Sequence, residues 1–380
     1  MATYSPIVVA SVTLILLNTA LAASVEPVKI IIRIDGGEAI LLETSTQLRS
    51  LESRLHDARQ IDMALSCTEP CENEKLLLRR SPGLLAKQLK VKYFDKNDRP
   101  VHDTLTRSEF GCTFSGHVEG KLSASSAYFQ LCNGRISGTL KTKSRITKVS
   151  TTVSSFDDAL EFHAHARIDN SKSHHVCGYK PSHGNTSYVR SRRDVRLPAL
   201  RNSTTRYIEL YTVANHDLYM RSGSVAATVK RLVDAVNYAS ALYQGMNIYL
   251  VLVGVEVWSN SDKVSVDQPV DNVLQDFQRY RQNQISPNTP NDDAQLFVGD
   301  IFQDNVIGRG STTICELDGG VAVIADLHDD DVVTAATTMA HELGHNLGLD
   351  HDDEITDREC VCPRPGTTDI KCIMHASTDG

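Results

Sequence analysis

His341, Glu342, His345, Gly348 and His351 stand near the end of this 380-residue chain in the pattern H-E-x-x-H-x-x-G-x-x-H. Two histidines four apart on a helix project from one face, about one turn from each other. Both can therefore reach one metal ion at roughly 2.0–2.1 Å from each nitrogen. Glu342 lies between them and can reach a water on the metal rather than the metal itself. Gly348 has no Cβ and can take the positive φ that ends a helix. The chain can then turn and return His351 as a third nitrogen. Three protein ligands leave a fourth zinc position open, which is the catalytic arrangement rather than the closed structural one. The bare H-E-x-x-H occurs by chance on many helices, but the extended pattern is far more specific.

A helix must carry this pattern, and VVTAATTMAHELGHNL (332–347) supplies one, with Asp329, Asp330 and Asp331 placed to cap it. Upstream, RYIELYTVA (206–214) and NIYLVLVGVEVW (247–258) read as strands. SVAATVKRLVDAVNYASALY (224–243) carries Val225, Val229, Leu232, Val236 and Leu242 at helical spacing, and VDNVLQDFQRY (270–280) puts Val273, Leu274 and Phe277 on one face. AQLFVG (294–299) and VAVIADL (321–327) complete an order of β, α, β, α, β, β, α. That order predicts an α/β sheet covered by helices.

The N-terminal half reads as a separate domain. VKIIIRI (28–34) and KLLLRR (75–80) are strand-like, and FGCTFSGHVEG (110–120) with AYFQLCNGRISGTL (127–140) reads as a hairpin around Cys112 and Cys132. A polar, His- and Ser-rich stretch over 163–193 reads as a linker. It ends in RSRR (190–193), the pattern cut by furin-type convertases, so cleavage is expected after Arg193, with Asp194 opening the product.

Composition bounds the function. With 41% hydrophobic and 23% charged residues the chain is globular rather than disordered. Lys and Arg exceed Asp and Glu by 7 over residues 1–193 and fall short by 15 over 194–380. The two halves should attract each other, and nothing reads as nucleic-acid binding. Residues 1–22 read as an export signal, with apolar IVVASVTLILL (7–17) before the small-x-small site Ala20-Leu21-Ala22, although MATYSP lacks Lys and Arg. No other apolar run approaches a membrane span. A secreted, extracellular protein is expected. Its nine cysteines fit an oxidising compartment, and the odd count leaves at least one thiol over. Asn185 and Asn202 each open an Asn-x-Ser/Thr glycosylation sequon.

The extended motif, followed by Met374 in CIM, resembles the metzincin zinc peptidases with their Met-turn. Asp352, directly after the third histidine, resembles the adamalysin/reprolysin branch, the ADAM and snake-venom metalloproteinases. RYIELYTVA, YLVLVGVEVW, DDAQLF and TMAHELGHNLGLDHD are similar to that family's pattern, and CTFSGHVEG resembles the ADAM prodomain.

The resemblance implies an α/β metzincin-like catalytic domain over 194–380, with a mixed, mostly parallel twisted sheet, behind a β-rich inhibitory prodomain over 23–193. His341, His345 and His351 would bind Zn2+. Glu342 would be the general base that takes a proton from the attacking water and passes it to the leaving amine. Met374 would form the floor beneath the metal. Gly319–Leu327 would be the edge strand that holds an extended peptide by β-augmentation. Glu209 and Asp292 match positions that help bind a structural Ca2+, a surface ion pair being the alternative. Cys177, in HVCG, matches the prodomain thiolate that fills the open zinc position before activation. Pairs Cys67–Cys71 and Cys112–Cys132 would leave it as the odd thiol, a disulfide-bonded Cys177 being the alternative. Cys362 and Cys372 would pair, while Cys315 and Cys360 resemble residues whose family partners lie beyond Gly380. The chain stops six residues after Met374 where family domains run on, so a fragment or a truncated product is expected. The implied function is a secreted zinc endopeptidase acting on extracellular proteins or peptides. It would be made as a zymogen held by its own prodomain and released by a furin-type convertase. The alternative is a catalytically incomplete form acting as a secreted binding or decoy protein.

Overall fold

The computed structural model describes residues 29–66, 73–80, 85–106, 112–121, 125–132, 134–142, 145–168, 175–177, 205–327, 332–352 and 373–378. The export signal, the cleavage site at Arg193 and Asp194, both sequons, and Cys67, Cys71, Cys360, Cys362 and Cys372 lie outside them.

In chain order the N-terminal half supplies β1 (Lys29–Ile34), β2 (Ala39–Leu42), α1 (Ser45–Asp57), β3 (Gln60–Ser66), β4 (Glu74–Arg80), β5 (Leu85–Phe94), β6 (Pro100–Thr106), β7 (Thr113–Val118), β8 (Ser126–Cys132), β9 (Arg135–Thr142), β10 (Arg145–Val153), β11 (Leu160–Ile168) and β12 (His175–Cys177). The C-terminal half supplies β13 (Arg206–Ala214), α2 (His216–Ser222), α3 (Val225–Tyr243), β14 (Ile248–Val257), α4 (Val270–Tyr280), β15 (Asp293–Val298), β16 (Val306–Gly310), β17 (Val321–Ala325), α5 (Val333–Asn346) and β18 (Ser377–Thr378).

These elements build two nine-stranded sheets. The first, β11-β10-β9-β8-β7-β4-β3-β1-β2, is antiparallel throughout. Alternation drives it: Ile30, Ile32 and Ile34 of KIIIRI turn inward while the residues between them face solvent. Helix α1 covers this sheet with Leu48, Leu51 and Leu55, and Thr44 caps it by accepting from Gln47 N at 3.1 Å. Cys112, at the mouth of β7, is disulfide-bonded.

The second sheet, β18-β12-β16-β17-β15-β13-β14-β5-β6, has a parallel centre over β17, β15, β13, β14 and β5. Parallel strands covered on both faces read as continuous apolar runs, and β15 and β17 are buried along their whole length. Helices α3 and α5 pack in one core with Leu210, Leu250 and Leu252; α4 packs in another with Val213, Leu296 and Val323.

Three expectations change, and one falls on undescribed residues. The 163–193 stretch is not all linker: residues up to Ile168 finish β11, whose exposed and half-buried positions alternate beside β10. The boundary between the halves does not divide the sheets, because β5, β6 and β12 join the second sheet. Asp329, Asp330 and Asp331, expected to cap α5, lie outside the described residues. Strand β17 is not an edge. It sits between β15 and the antiparallel β16, and β16 is in turn flanked by β12, with β18 at the sheet's end. The two glycines of VIGRG hid β16 from the strand reading.

Candidate metal centre

Helix α5 is small and apolar where it meets the sheet, so it can lie close to it. Tyr243 of α3 donates to Ala340 O at 2.5 Å. Asn346, in the last turn, donates through Nδ2 to Ser311 O at 3.0 Å, to Ser311 Oγ at 2.8 Å and to Val321 O at 3.0 Å. These bonds set the height and rotation of the helix against β16 and β17.

His341 and His345 therefore face inward and are buried. Gly348 follows with φ of 80° and donates its N–H to His345 O at 2.8 Å, closing the helix. The turn brings back His351, equally buried. His345 Nε2 lies 3.1 Å from His341 Nε2 and 3.1 Å from His351 Nε2.

The tautomers explain what belongs among them. His341 Nδ1 sits 2.6 Å from Ile373 O, and His345 Nδ1 sits 2.8 Å from Leu349 O. A carbonyl oxygen only accepts, so both Nδ1 atoms carry the proton. Burial, and then the neighbouring His341, push His345 down to a pKa of about 3, so it is neutral at pH 7. His345 Nε2 is then a bare lone pair, facing the Nε2 atoms of His341 and His351. Nitrogens bound tetrahedrally to zinc at about 2.0–2.1 Å lie about 3.3 Å apart, so the donor set and its spacing fit this metal. The carbonyl partners at Nδ1 are the outer support that metal-binding histidines use.

Glu342 is fully buried beside the triad. Its carboxylate fits because β16 carries glycines where it passes. A Cβ on Gly308 would lie 2.5 Å from Glu342 Oε1, and one on Gly310 would lie 2.7 Å from Glu342 O. Met374 is buried under α5, with its Sδ in the space that a side chain at Gly344 would need. Met374 O accepts from Asp352 N at 2.8 Å, which ties the turn after the helix to this segment.

The backbone of Cys177 enters the same region. Strand β12 runs parallel to β16, with Cys177 in register with Gly308, and antiparallel to β18. The Cys177 side chain lies outside the description. Glu209 and Asp292 are adjacent through the main chain: Asp292 Oδ2 accepts from Glu209 N at 2.8 Å, and Glu209 O accepts from Asp292 N at 2.8 Å. Cys315, exposed and free, donates to Asp292 Oδ1 at 3.5 Å. Among the described residues, the group of three metal-ligating side chains brought together is His341, His345 and His351.

Sequence reasoning missed Gly308, Gly310, Tyr243 and Asn346. Two glycines one residue apart share a face of a strand, and that spacing was a usable sign of close approach by a helix. Nothing local marks Asn346 or Tyr243, whose partners come from distant segments.

The chain is similar to known proteins over most of its length. The pattern of the reprolysin (M12B) family zinc metalloprotease matches residues 206–379. The mouse "Disintegrin and metalloproteinase domain-containing protein 12" is 31% identical over 314 residues, covering 80% of this chain and 33% of that protein. The chain thus spans about a third of that relative's length. The crystal structure of metalloproteinase-II from Bacteroides fragilis aligns with a TM-score of 0.42 at 12% identity, covering 82% of this chain and 83% of that one, too distant to argue from. The match over 206–379 identifies that stretch of the chain as a reprolysin (M12B) zinc metalloprotease domain, and the relative that aligns across both halves is a disintegrin and metalloproteinase domain-containing protein.

Proposed function

We propose that the chain is the zymogen of a secreted zinc endopeptidase, hydrolysing peptide bonds of extracellular proteins or peptides. The observation that carries this reading is the meeting of three imidazole Nε2 atoms beside the buried Glu342, under strand β16. His341, His345 and His351 would hold Zn2+. When bound, the metal supplies a Lewis acid that polarises a carbonyl and acidifies a water.

The chain's own residues supply the rest. Glu342 takes a proton at its carboxylate from the attacking water and returns it to the leaving amide nitrogen. The Nδ1 bonds to Ile373 O and Leu349 O hold two imidazoles in their ligating tautomer through the cycle. Met374 supports the helix from below. An extended substrate would add to β16 as a further strand. That edge now carries β12, so substrate and β12 compete for the same main-chain groups. This competition supports Cys177 as the group that keeps the enzyme latent, and cleavage after Arg193 as the step that releases it. The nearness of Glu209 and Asp292 agrees with the start of a Ca2+ site, which needs six to eight oxygens in all. No helix among the described residues is long and apolar enough to cross a membrane.

The test takes the secreted protein cut by a furin-type convertase and measures bound zinc with cleavage of a quenched peptide library, using Glu342→Gln as control. One zinc per chain and activity lost in the variant are expected. Zinc without any Glu342-dependent cleavage would overturn the enzymatic reading in favour of a binding or decoy role.

A further inference from the structure

Glu256 lies on β14, at the end of the sheet away from the metal centre, and is completely buried. Its carboxylate is crowded with donors. Trp258 Nε1 donates to Oε1 at 3.0 Å, Tyr211 OH donates to Oε2 at 3.3 Å, and Tyr280 OH also donates to Oε1. A buried carboxylate also needs a counter-charge. Among the described residues it comes from Lys92, whose Nζ lies 3.2 Å from Glu256 Oε2. Lys92 belongs to the N-terminal half, on β5, and is the register partner of Glu256 in the parallel pairing of β5 with β14.

The rest of the β5–β6 hairpin is built for the same place. Leu89 and Val91 are buried in the core formed by β13, β14 and α3. Phe94 N donates to Ser259 Oγ at 2.8 Å, and Ser259 Oγ donates back to Phe94 O at 2.7 Å. Lys92 Nζ sits 5.2 Å from the Phe94 ring centre and 5.9 Å from that of Tyr280, and Lys263 Nζ sits 4.0 Å from the Phe94 ring, within cation–π range. Asp98, in the hairpin turn, pairs with Lys263. Strands β14, β13, β15 and β17 separate this hairpin from β16.

We infer that the β5–β6 hairpin is a second anchor by which the N-terminal half grips the metalloprotease domain, remote from the metal centre and keyed by Lys92 entering the Glu256 pocket. The surface is the outer edge of β14, and its occupant is an extended basic strand, residues 85–94 of this chain. Separation exposes that edge and leaves Glu256 among neutral donors without its cation. Cutting the main chain between the halves therefore does not by itself part them. The anchor works whether or not the metal centre is active.

The experiment replaces residues 190–193 with a site for a sequence-specific protease, so the cut does not depend on natural processing. A Cys177→Ala background removes any thiol anchor at the metal centre. Gel filtration then follows dissociation of the cut chain. The cut parent should elute as one species, and adding Lys92→Met should speed separation on the order of 100-fold, as expected for breaking one side of a buried ion pair. Lys90→Met, on the same strand and, among the described residues, bonded to Asn288 O, should leave the rate unchanged. Should Lys92→Met not fold, the Lys92→Met, Glu256→Gln pair replaces it, with separation expected faster than the parent's because the ion pair across the halves is gone while no charge is left buried alone. Immediate separation of the cut parent, or equal rates for Lys92→Met and Lys90→Met, would overturn the proposal. In the replacement pair, a rate equal to the parent's would do the same.

Discussion

Gly308 on β16 faces Glu342 on α5 so closely that a Cβ there would lie 2.5 Å from Glu342 Oε1 and 2.7 Å from Thr338 Cγ2. The strand that would carry the substrate and the residue that would move the proton are thus fitted to each other through a missing side chain. Gly308→Ala must push the carboxylate or the strand aside. A displacement of about 1 Å in a catalytic group costs roughly 100-fold. The expected result is a fall in kcat of that order with zinc content unchanged, since Gly308 is not a ligand. Steady-state kinetics with metal analysis on one preparation checks it.

Removing the metal should weaken the fold as well as the activity. Three buried imidazole nitrogens converge, His345 Nε2 lying 3.1 Å from each of the other two. A ligand that binds the folded state alone stabilises it by about 3–4 kcal/mol when present at 100 to 1,000 times its Kd. Chelation should therefore lower the midpoint of thermal unfolding, and added zinc should restore it. His345→Ala should abolish the zinc-dependent shift. A midpoint indifferent to chelator would argue against a bound metal.

The pH dependence of stability should carry a contribution from Asp293, at the start of β15. Burial raises its pKa from 3.8 to about 7, while the bond from Gln295 Nε2 at 2.5 Å and the charge of Arg281 oppose the rise. The folded protein therefore holds a proton here that the unfolded chain releases at lower pH. The contribution is complete below the unfolded value and is lost as pH rises through the folded one, so stability falls across roughly pH 4 to 7. Each unit of displacement amounts to about 1.4 kcal/mol, so roughly 4 kcal/mol is an upper bound. Asp293→Asn should flatten this slope and raise stability at pH 8. Denaturant titrations at pH 5, 7 and 8 measure both.

The metal centre was legible because its chemistry is local. His341, Glu342 and His345 share one helix, and Gly348 and His351 follow at short range. The main strands were legible for the same reason, since RYIELYTVA and YLVLVGVEVW carry their apolar pattern within ten residues or so. The hidden parts depend on partners far away in the chain. Strand β5 pairs with β14 more than 150 residues later, and no local pattern in LAKQLKVKYF signals a strand for another half's sheet. Strand β16 was missed because glycine lowers strand propensity where close approach to α5 requires it. Without β16, the edge position was expected at β17, which lies between β15 and β16.

Asn346 shows how that distant pairing reaches the metal. Its Nδ2 bonds join the last turn of α5 to Ser311 and Val321, at the ends of β16 and β17. Asn346→Ala would take the Nδ2 donor from Ser311 O, at a cost of about 1–3 kcal/mol, and one of two donors from Val321 O, which still accepts from Ser311 N. Asn346→Asp would be worse, because it sets a carboxylate against the oxygens that now accept. His345 precedes this residue, so loosening the turn should also misplace one ligand. The expected outcome is a lower unfolding midpoint in both variants, larger for Asp, together with weaker zinc retention against a competing chelator. Loss of stability with zinc retention unchanged would mean that Asn346 holds the sheet to the helix without positioning the site.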